Sequence, residues 1–248
     1  MRNLIIVTLL MLGFAIVPVS AETEYESLSR KAARYFDNGE WANANAMYVL
    51  MMEKEPHEVS TYAHAAVVQV MMGDTVRALD LLPRSMSYEV PVDSFFTDLR
   101  DTSFSIGHGE LYCNYLIGVK KTYPWFSRIA DNYLMRYYAF RQNGPELIKY
   151  AKTMLAGMPN NRDFLRMLAH GCLLTGDTKG AIDAWLKTVE LYPDDYDTVL
   201  DLANCYDAEG NKEAALKWMS RASELRTTPY VTARISALSD TTPNTKID

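Results

Sequence analysis

Apolar and polar residues alternate along much of this chain with the period of an α-helix. Leu165, Leu168 and Cys172 follow the spacing i, i+3, i+7, and the same spacing returns one unit later from Val199. This spacing places apolar side chains on one face of a helix. Small residues beside these positions let two helices pack closely: Ala169, Ala181, Ala203 and Ala215. No window shows sustained period-two alternation, so the pattern predicts helices rather than strands.

Glycine followed by a short polar residue marks the predicted turn inside each helix pair. Gly176–Asp177 and Gly210–Asn211 are expected to end one helix and to cap the next. Pro193 closes a unit because proline cannot continue a helix interior. These signals predict helix–turn–helix units of constant length.

The units recur at a fixed interval. Gly39 returns as Gly73 and Gly176 returns as Gly210, in each case 34 positions later. The alanines that follow these glycines keep the same interval: Ala44 and Ala78, then Ala181 and Ala215. A period of this length indicates a stacked helical array rather than one globular core.

The order of residues in each unit resembles the signature of the tetratricopeptide repeat (TPR) family. A large apolar residue, a leucine, a small residue and an aromatic residue precede Ala-x3-aromatic and proline. Units 25–58, 59–92, 162–195 and 196–229 carry this order. The resemblance implies an all-α fold, a right-handed superhelical solenoid of about five to six TPR-like helix pairs with degenerate central repeats and a C-terminal capping helix.

The middle of the chain matches the signature less well. Arg100 stands where a small residue is expected, and Tyr112 and Leu147 replace the packing alanine. Two interpretations stay open for this segment: two degenerate repeats or a helical insert. The expected organisation is a signal peptide at 1–21, N-terminal repeats at 22–92, this weaker segment at 93–161, C-terminal repeats at 162–229, a capping helix at 230–240 and a disordered tail at 241–248.

The first 21 residues have the layout of a secretory signal peptide. Arg2 is followed by a 14-residue apolar stretch, Leu4–Val17, then by Pro18 and small residues that predict cleavage after Ala21. A retained anchor is the alternative, but the stretch is shorter than the roughly 20 residues that span a bilayer. Since Cys113 is the first cysteine, a lipoprotein is not expected. We therefore expect a periplasmic or secreted protein with no membrane insertion after cleavage.

The net charge and the cysteine content restrict which kinds of partner this chain can bind. The net charge of −6 argues against a nucleic-acid binder, which would carry a basic stripe. The three cysteines, Cys113, Cys172 and Cys205, form neither a disulfide framework nor a metal-binding spacing. We expect them to be buried small hydrophobic residues, with a disulfide between Cys172 and Cys205 as the alternative.

No catalytic pattern stands out. The four histidines are far apart, and Gly107–Glu110 (Gly-His-Gly-Glu) fits a turn between helices better than a phosphate-binding loop. There is no G-x-S-x-G nucleophile elbow and no zinc-protease motif. We expect no enzyme activity, no cofactor, no metal, and no catalytic residues.

The TPR resemblance implies a non-catalytic scaffold that binds a protein or peptide in a concave groove. In that family the fifth and ninth positions of the first helices face the groove. In the last three units five polar residues at these positions are the candidate binding residues: Asn132, Arg136, Arg166, His170 and Asn204. The arginines would bind acidic groups and the asparagines would bind the partner's backbone. The simpler alternative is a solvated helix face.

A second functional hypothesis is a structural subunit that is assembled permanently into a cell-envelope complex. Such a subunit would bury a broad apolar outer face rather than capture a segment. The sequence identifies neither the partner nor the biological process.

Overall fold

The structure is a computed structural model that describes residues 23–240. The predicted signal peptide at 1–21 and the predicted tail at 241–248 lie outside the described residues. Within 23–240 the chain forms thirteen α-helices and a short 3-10 helix at Pro124–Phe126, with no strand. The predicted all-α helical repeat solenoid is confirmed.

The helices have nearly equal lengths. They are α1 (Glu24–Asp37), α2 (Trp41–Lys54), α3 (Val59–Met71), α4 (Thr75–Ser87), α5 (Val92–Ser105), α6 (Gly109–Thr122), α7 (Ser127–Phe140), α8 (Gly144–Gly157), α9 (Arg162–Leu174), α10 (Thr178–Leu191), α11 (Tyr196–Ala208), α12 (Lys212–Leu225) and α13 (Pro229–Asp240). The odd-numbered helices up to α11 begin about 34 residues apart, which is the length of one helix pair. The segment 93–161 keeps this interval, and its helices α5 to α8 are as long as the flanking helices.

The described residues divide into two compact units between Thr102 and Ser103, within the last turn of α5. The first unit contains α1–α4, and the second contains α6–α13.

The turns inside the pairs form as the glycine–polar signal predicts. Gly176 has a φ of +77°, a left-handed conformation that glycine adopts without strain. The Asp177 carboxylate then accepts a hydrogen bond from the Gly180 backbone N–H at 2.9 Å and caps α10. Gly210 and Asn211 repeat this arrangement before α12. Gly107 lies in the turn between α5 and α6, also with a positive φ.

Small residues sit where helices meet. Ala181 is fully buried and packs with Ala169, Cys172, Trp185 and Leu202 in one cluster of the second unit. In the central segment the bulkier Tyr112 and Leu147, which stand at the alanine position, are also buried. The repeat therefore tolerates larger residues at this position without losing the helix.

The C-terminal helix covers the end of the repeat array. Val231 of α13 is fully buried against Val199 of α11 and Met219 and Ala222 of α12. This packing removes from water the apolar face that α11 and α12 would otherwise expose, which is the role expected of a capping helix.

All three cysteines are buried free thiols, so the alternative disulfide between Cys172 and Cys205 is not formed. Burial raises the pKa of each thiol above its usual value. They behave as the expected small hydrophobic residues. Residues 23–240 include no helix that is both long enough and apolar enough to cross a membrane.

Candidate protein-binding groove

A groove of about 1020 Å³ opens in the second unit along three first helices, α7, α9 and α11. We call this feature the groove. Its lining residues are Asn132, Met135, Arg136, Asn161, Asp163, Phe164, Arg166, Met167, His170, Leu173, Thr178, Trp185, Asp201, Asn204, Cys205, Ala208 and Glu209.

Helix α9 forms the centre of the groove. Its N-terminus is capped by the Asn161 side chain, which accepts a hydrogen bond from the Phe164 backbone N–H at 3.1 Å. Asp163, Arg166 and His170 are three or four residues apart and so share one face of the helix. The opposite face, with Leu165, is buried in the protein.

The apolar part of the lining is contributed by aromatic residues and methionines. Phe164 and Trp185 are buried, and Met135 is only 2% exposed, whereas Met167 is half-buried and Leu173 is exposed. Trp185 comes from α10 rather than from a first helix. Such a mixture of apolar surface and a few polar groups is typical of binding sites. Methionine also adapts its shape to different partners.

All five candidate residues from the sequence line this one groove: Asn132, Arg136, Arg166, His170 and Asn204. Their role in binding stays a prediction. Arg136 is exposed, and it makes no ion pair with another residue of 23–240. Its guanidinium is therefore available to a ligand.

Two of the five candidates are already engaged within the protein. The Arg166 guanidinium lies 4.0 Å from an Asp197 carboxylate oxygen and 3.9 Å from one of Asp201. The Asn204 side-chain oxygen accepts a hydrogen bond from the Tyr230 hydroxyl at 2.8 Å. The Asn204 amide group can still donate to a ligand.

Three acidic residues of the groove were not among the candidates: Asp163, Asp201 and Glu209. The groove is thus mixed in charge rather than cationic. All three residues lie outside the fifth and ninth positions of their helices, which are the positions that the TPR resemblance assigns to the groove. The signal that could have identified Glu209 is its place at the C-cap of α11, where a carboxylate opposes the helix dipole.

The carboxyl group of Asp201 is partly buried in the groove. Burial raises the pKa of its carboxyl, the Arg166 cation opposes that rise, and Asp197 adds to it. The net direction is upward because the effect of burial on this pKa outweighs the effect of Arg166.

The described residues contain no group of three or more His, Cys, Asp or Glu side chains that could hold a metal ion. His170 lines the groove in the second unit, whereas His64 belongs to the first unit. His64 sits between the rings of Phe36 and Tyr48, with its Nδ1 at 2.8 Å from the Ser60 carbonyl oxygen. We assign a packing role to His64.

No protein-family model matches the sequence, and no curated protein matches it. Solved structures do resemble it in fold. One is a chain of the Naa15/Naa10 complex bound to HypK-THB, with a TM-score of 0.50 and 14% identity, covering 88% of this chain and 34% of that one.

Two further structures are from bacteria. The C-terminal part of a TPR repeat-containing protein from Cytophaga hutchinsonii has a TM-score of 0.49 and 14% identity, over 86% of this chain and 96% of that one. A tetratricopeptide repeat protein from Parabacteroides merdae has a TM-score of 0.41 and 14% identity, over 87% and 98%. At such identities a likeness concerns the fold alone. The helix lengths and the glycine turns themselves define an all-α helical repeat fold.

Proposed function

We propose that this protein is an exported, non-catalytic scaffold that holds an extended segment of a partner protein in the groove. The observation that carries the proposal is the groove itself, where apolar surface from Met167 and Leu173 lies beside polar side chains of three first helices, α7, α9 and α11. Its volume is at the upper end of what small-molecule pockets reach, about 300–1,000 Å³, which favours a chain segment as the occupant.

The groove can be tested by site-specific photo-crosslinking in cells of the source organism. A p-benzoylphenylalanine at Leu173 would report on the groove, since Leu173 is 42% exposed. Leu186 is the matched control: it is a leucine of α10, 37% exposed, and does not line the groove. We expect a recurrent protein adduct from position 173 and none from position 186, and mass spectrometry of that adduct identifies the partner.

A substitution in the groove completes this test. Arg136→Ala should reduce the adduct at position 173, because it removes a free cation from the groove. Arg128→Ala is the control, since Arg128 is an exposed arginine of the same helix outside the groove. Equal adducts at positions 173 and 186, or no effect of Arg136→Ala, would contradict groove binding.

Export rests on the N-terminal pattern of Arg2, the apolar stretch Leu4–Val17 and the small residues up to Ala21. Intact-mass measurement of the protein from the soluble envelope fraction tests it. We expect a chain that starts at Glu22. A soluble species that retains residues 1–21 would overturn the proposal of cleavage.

One observation favours the alternative, a permanently assembled envelope subunit. Trp125, in the 3-10 helix, is 63% exposed, and Ile117 and Ile129 on the adjoining helices are exposed as well. Exposed apolar side chains of this size are typical of permanent interfaces. Size-exclusion chromatography with light scattering distinguishes the hypotheses, because a soluble monomer favours the scaffold.

A further inference from the structure

The groove carries two unpaired charges of opposite sign on its flanking helices. Arg136 lies on α7 and Glu209 caps the C-terminus of α11. Both side chains are exposed, and neither makes an ion pair with another residue of 23–240.

The charged side chains Asp163, Arg166 and Asp201 of the groove each lie near an opposite charge inside the protein. Arg166, on the central helix α9, faces Asp197 and Asp201 of α11. The Asp163 carboxylate is 3.2 Å from the guanidinium of its neighbour Arg162. The unpaired charges of the groove are therefore the Arg136 cation on the α7 side and the Glu209 carboxylate on the α11 side.

Glu209 contributes nothing evident to folding. A carboxylate at a helix C-terminus meets the negative end of the helix dipole, which is unfavourable. Lys, Arg or His would be the stabilising choice at this position. A carboxylate residue that opposes its own helix dipole and lines a groove is consistent with recognition of a cation.

The distance between these charges suggests the length of the ligand. Helices α7 and α9 contact each other, and Arg166 links α9 to α11, so α7 and α11 flank α9. Two helix-to-helix spacings amount to roughly 16–20 Å. An extended chain rises about 3.3 Å per residue, so about five or six residues cover this span.

Building on the proposed groove function, we propose that the occupant is an extended segment with an acidic and a basic side chain about five or six residues apart. The acidic side chain pairs with Arg136, and the basic one pairs with Glu209. An apolar side chain midway between them packs against Phe164 and Met167. One segment would thus pair with both unpaired charges of the groove and cover part of its apolar lining.

Fluorescent peptide probes test the proposal on the full-length processed protein. The matched probe contains Glu-Gly-Ser-Leu-Ser-Gly-Lys, and a scrambled probe of the same composition places Glu and Lys side by side. Fluorescence anisotropy should show the matched probe binding at least about tenfold more tightly, with a preference that weakens at high salt. Equal affinities, or no binding of the matched probe, would overturn the inference.

Charge reversals assign the two ends. Arg136→Glu should weaken the matched probe about tenfold and improve a probe with Lys in place of Glu. Glu209→Lys should weaken the matched probe similarly and improve one with Glu in place of Lys. The controls are Arg128→Glu and Glu190→Lys, exposed positions outside the groove. Unchanged probe preferences in both groove variants would contradict the assignment.

A stability measurement separates recognition from a structural role. Glu209→Gln should lose affinity for the matched probe while its thermal stability stays equal or rises, because the substitution removes an unfavourable dipole interaction. A loss of stability would contradict this role. If p-benzoylphenylalanine at position 173 crosslinks a partner but the probes show no charge preference, only this inference is overturned. If position 173 gives no adduct, the proposed function is overturned as well.

Discussion

At the turn between α7 and α8, Gln142 adopts the backbone conformation that glycine adopts at the equivalent turns. Its φ is +51°, compared with +77° for Gly176 between α9 and α10. The hydrogen bonds are also equivalent: the Gln142 N–H donates to the Ala139 carbonyl oxygen at 3.1 Å, as the Gly176 N–H donates to that of Leu173 at 3.0 Å. A residue with a Cβ is strained in this region.

Replacing Gln142 with glycine should therefore stabilise the protein. We expect an increase of about 0.5–1 kcal/mol in the free energy of unfolding, since relief of strain exceeds the added flexibility of the unfolded chain. Gly176→Ala is the reciprocal variant and should lower it by about 1 kcal/mol. No atom lies within 4 Å of a Cβ at Gly176, so strain alone would be the cause. Urea denaturation measures both, and a destabilised Gln142→Gly would show that the turn is not strained.

At the scale of elements, the position of α9 depends on its close contact with α8. Gly171 of α9 is buried, and a Cβ there would lie 2.8 Å from Ile148 Cγ1 and 3.2 Å from the Ile148 backbone nitrogen. Since Gly171 follows the groove residue His170, this contact also sets where α9 presents its polar face. Gly171 could not be predicted from the repeat pattern, because the TPR signature marks small residues at other positions.

Gly171→Ala should accordingly destabilise the protein by about 1–2 kcal/mol, because overpacking exceeds the gain of about 1 kcal/mol in helix propensity. Gly157→Ala is the matched control at the end of α8. There the nearest atom to a Cβ would be Arg128 Cζ at 4.0 Å, so this variant should be neutral or slightly more stable. Thermal unfolding of Gly171→Ala and Gly157→Ala measures the two changes in stability. Equal effects would show that α8 and α9 are not held by this contact.

For the whole molecule, the sequence predicts the architecture best where each turn carries glycine. Gly39, Gly73, Gly176 and Gly210 all have positive φ values and stand at the predicted turns. The central segment was ambiguous because Arg100, Tyr112 and Leu147 depart from the repeat signature, and the turn at Gln142 adds a positive φ without a glycine to mark it. The packing alanine is also replaced there by residues that the core accommodates.

The groove could be predicted only in part. Helix periodicity and the TPR resemblance selected Arg136 and Arg166 as neighbours, and both line it. The pairing of Arg166 with Asp201 could not be predicted, because it depends on how two helices 35 positions apart in sequence are packed. Trp185 was not predicted for a related reason: it belongs to a second helix, whereas the TPR resemblance assigns the groove to first helices.

Coupling between repeats gives the last prediction. Ala181 of α10 is fully buried in the cluster that joins α9, α10 and α11. Ala181→Leu should overpack this cluster at a cost of about 1–3 kcal/mol. In a repeat protein each unit is stabilised mainly by its neighbours, so the loss should spread along the chain and decrease with distance.

Hydrogen–deuterium exchange measured by mass spectrometry can follow this spread. In Ala181→Leu, exchange should accelerate in α9, α10 and α11, less in α12 and α13, and not in α1–α4. Asp183→Leu is the matched control, since it adds the same side chain at an exposed position of the same helix. Equal acceleration throughout the chain would indicate a single cooperative core. Acceleration confined to α9–α11 and their neighbours would mean that damage to the repeats that form the groove leaves the N-terminal repeats folded.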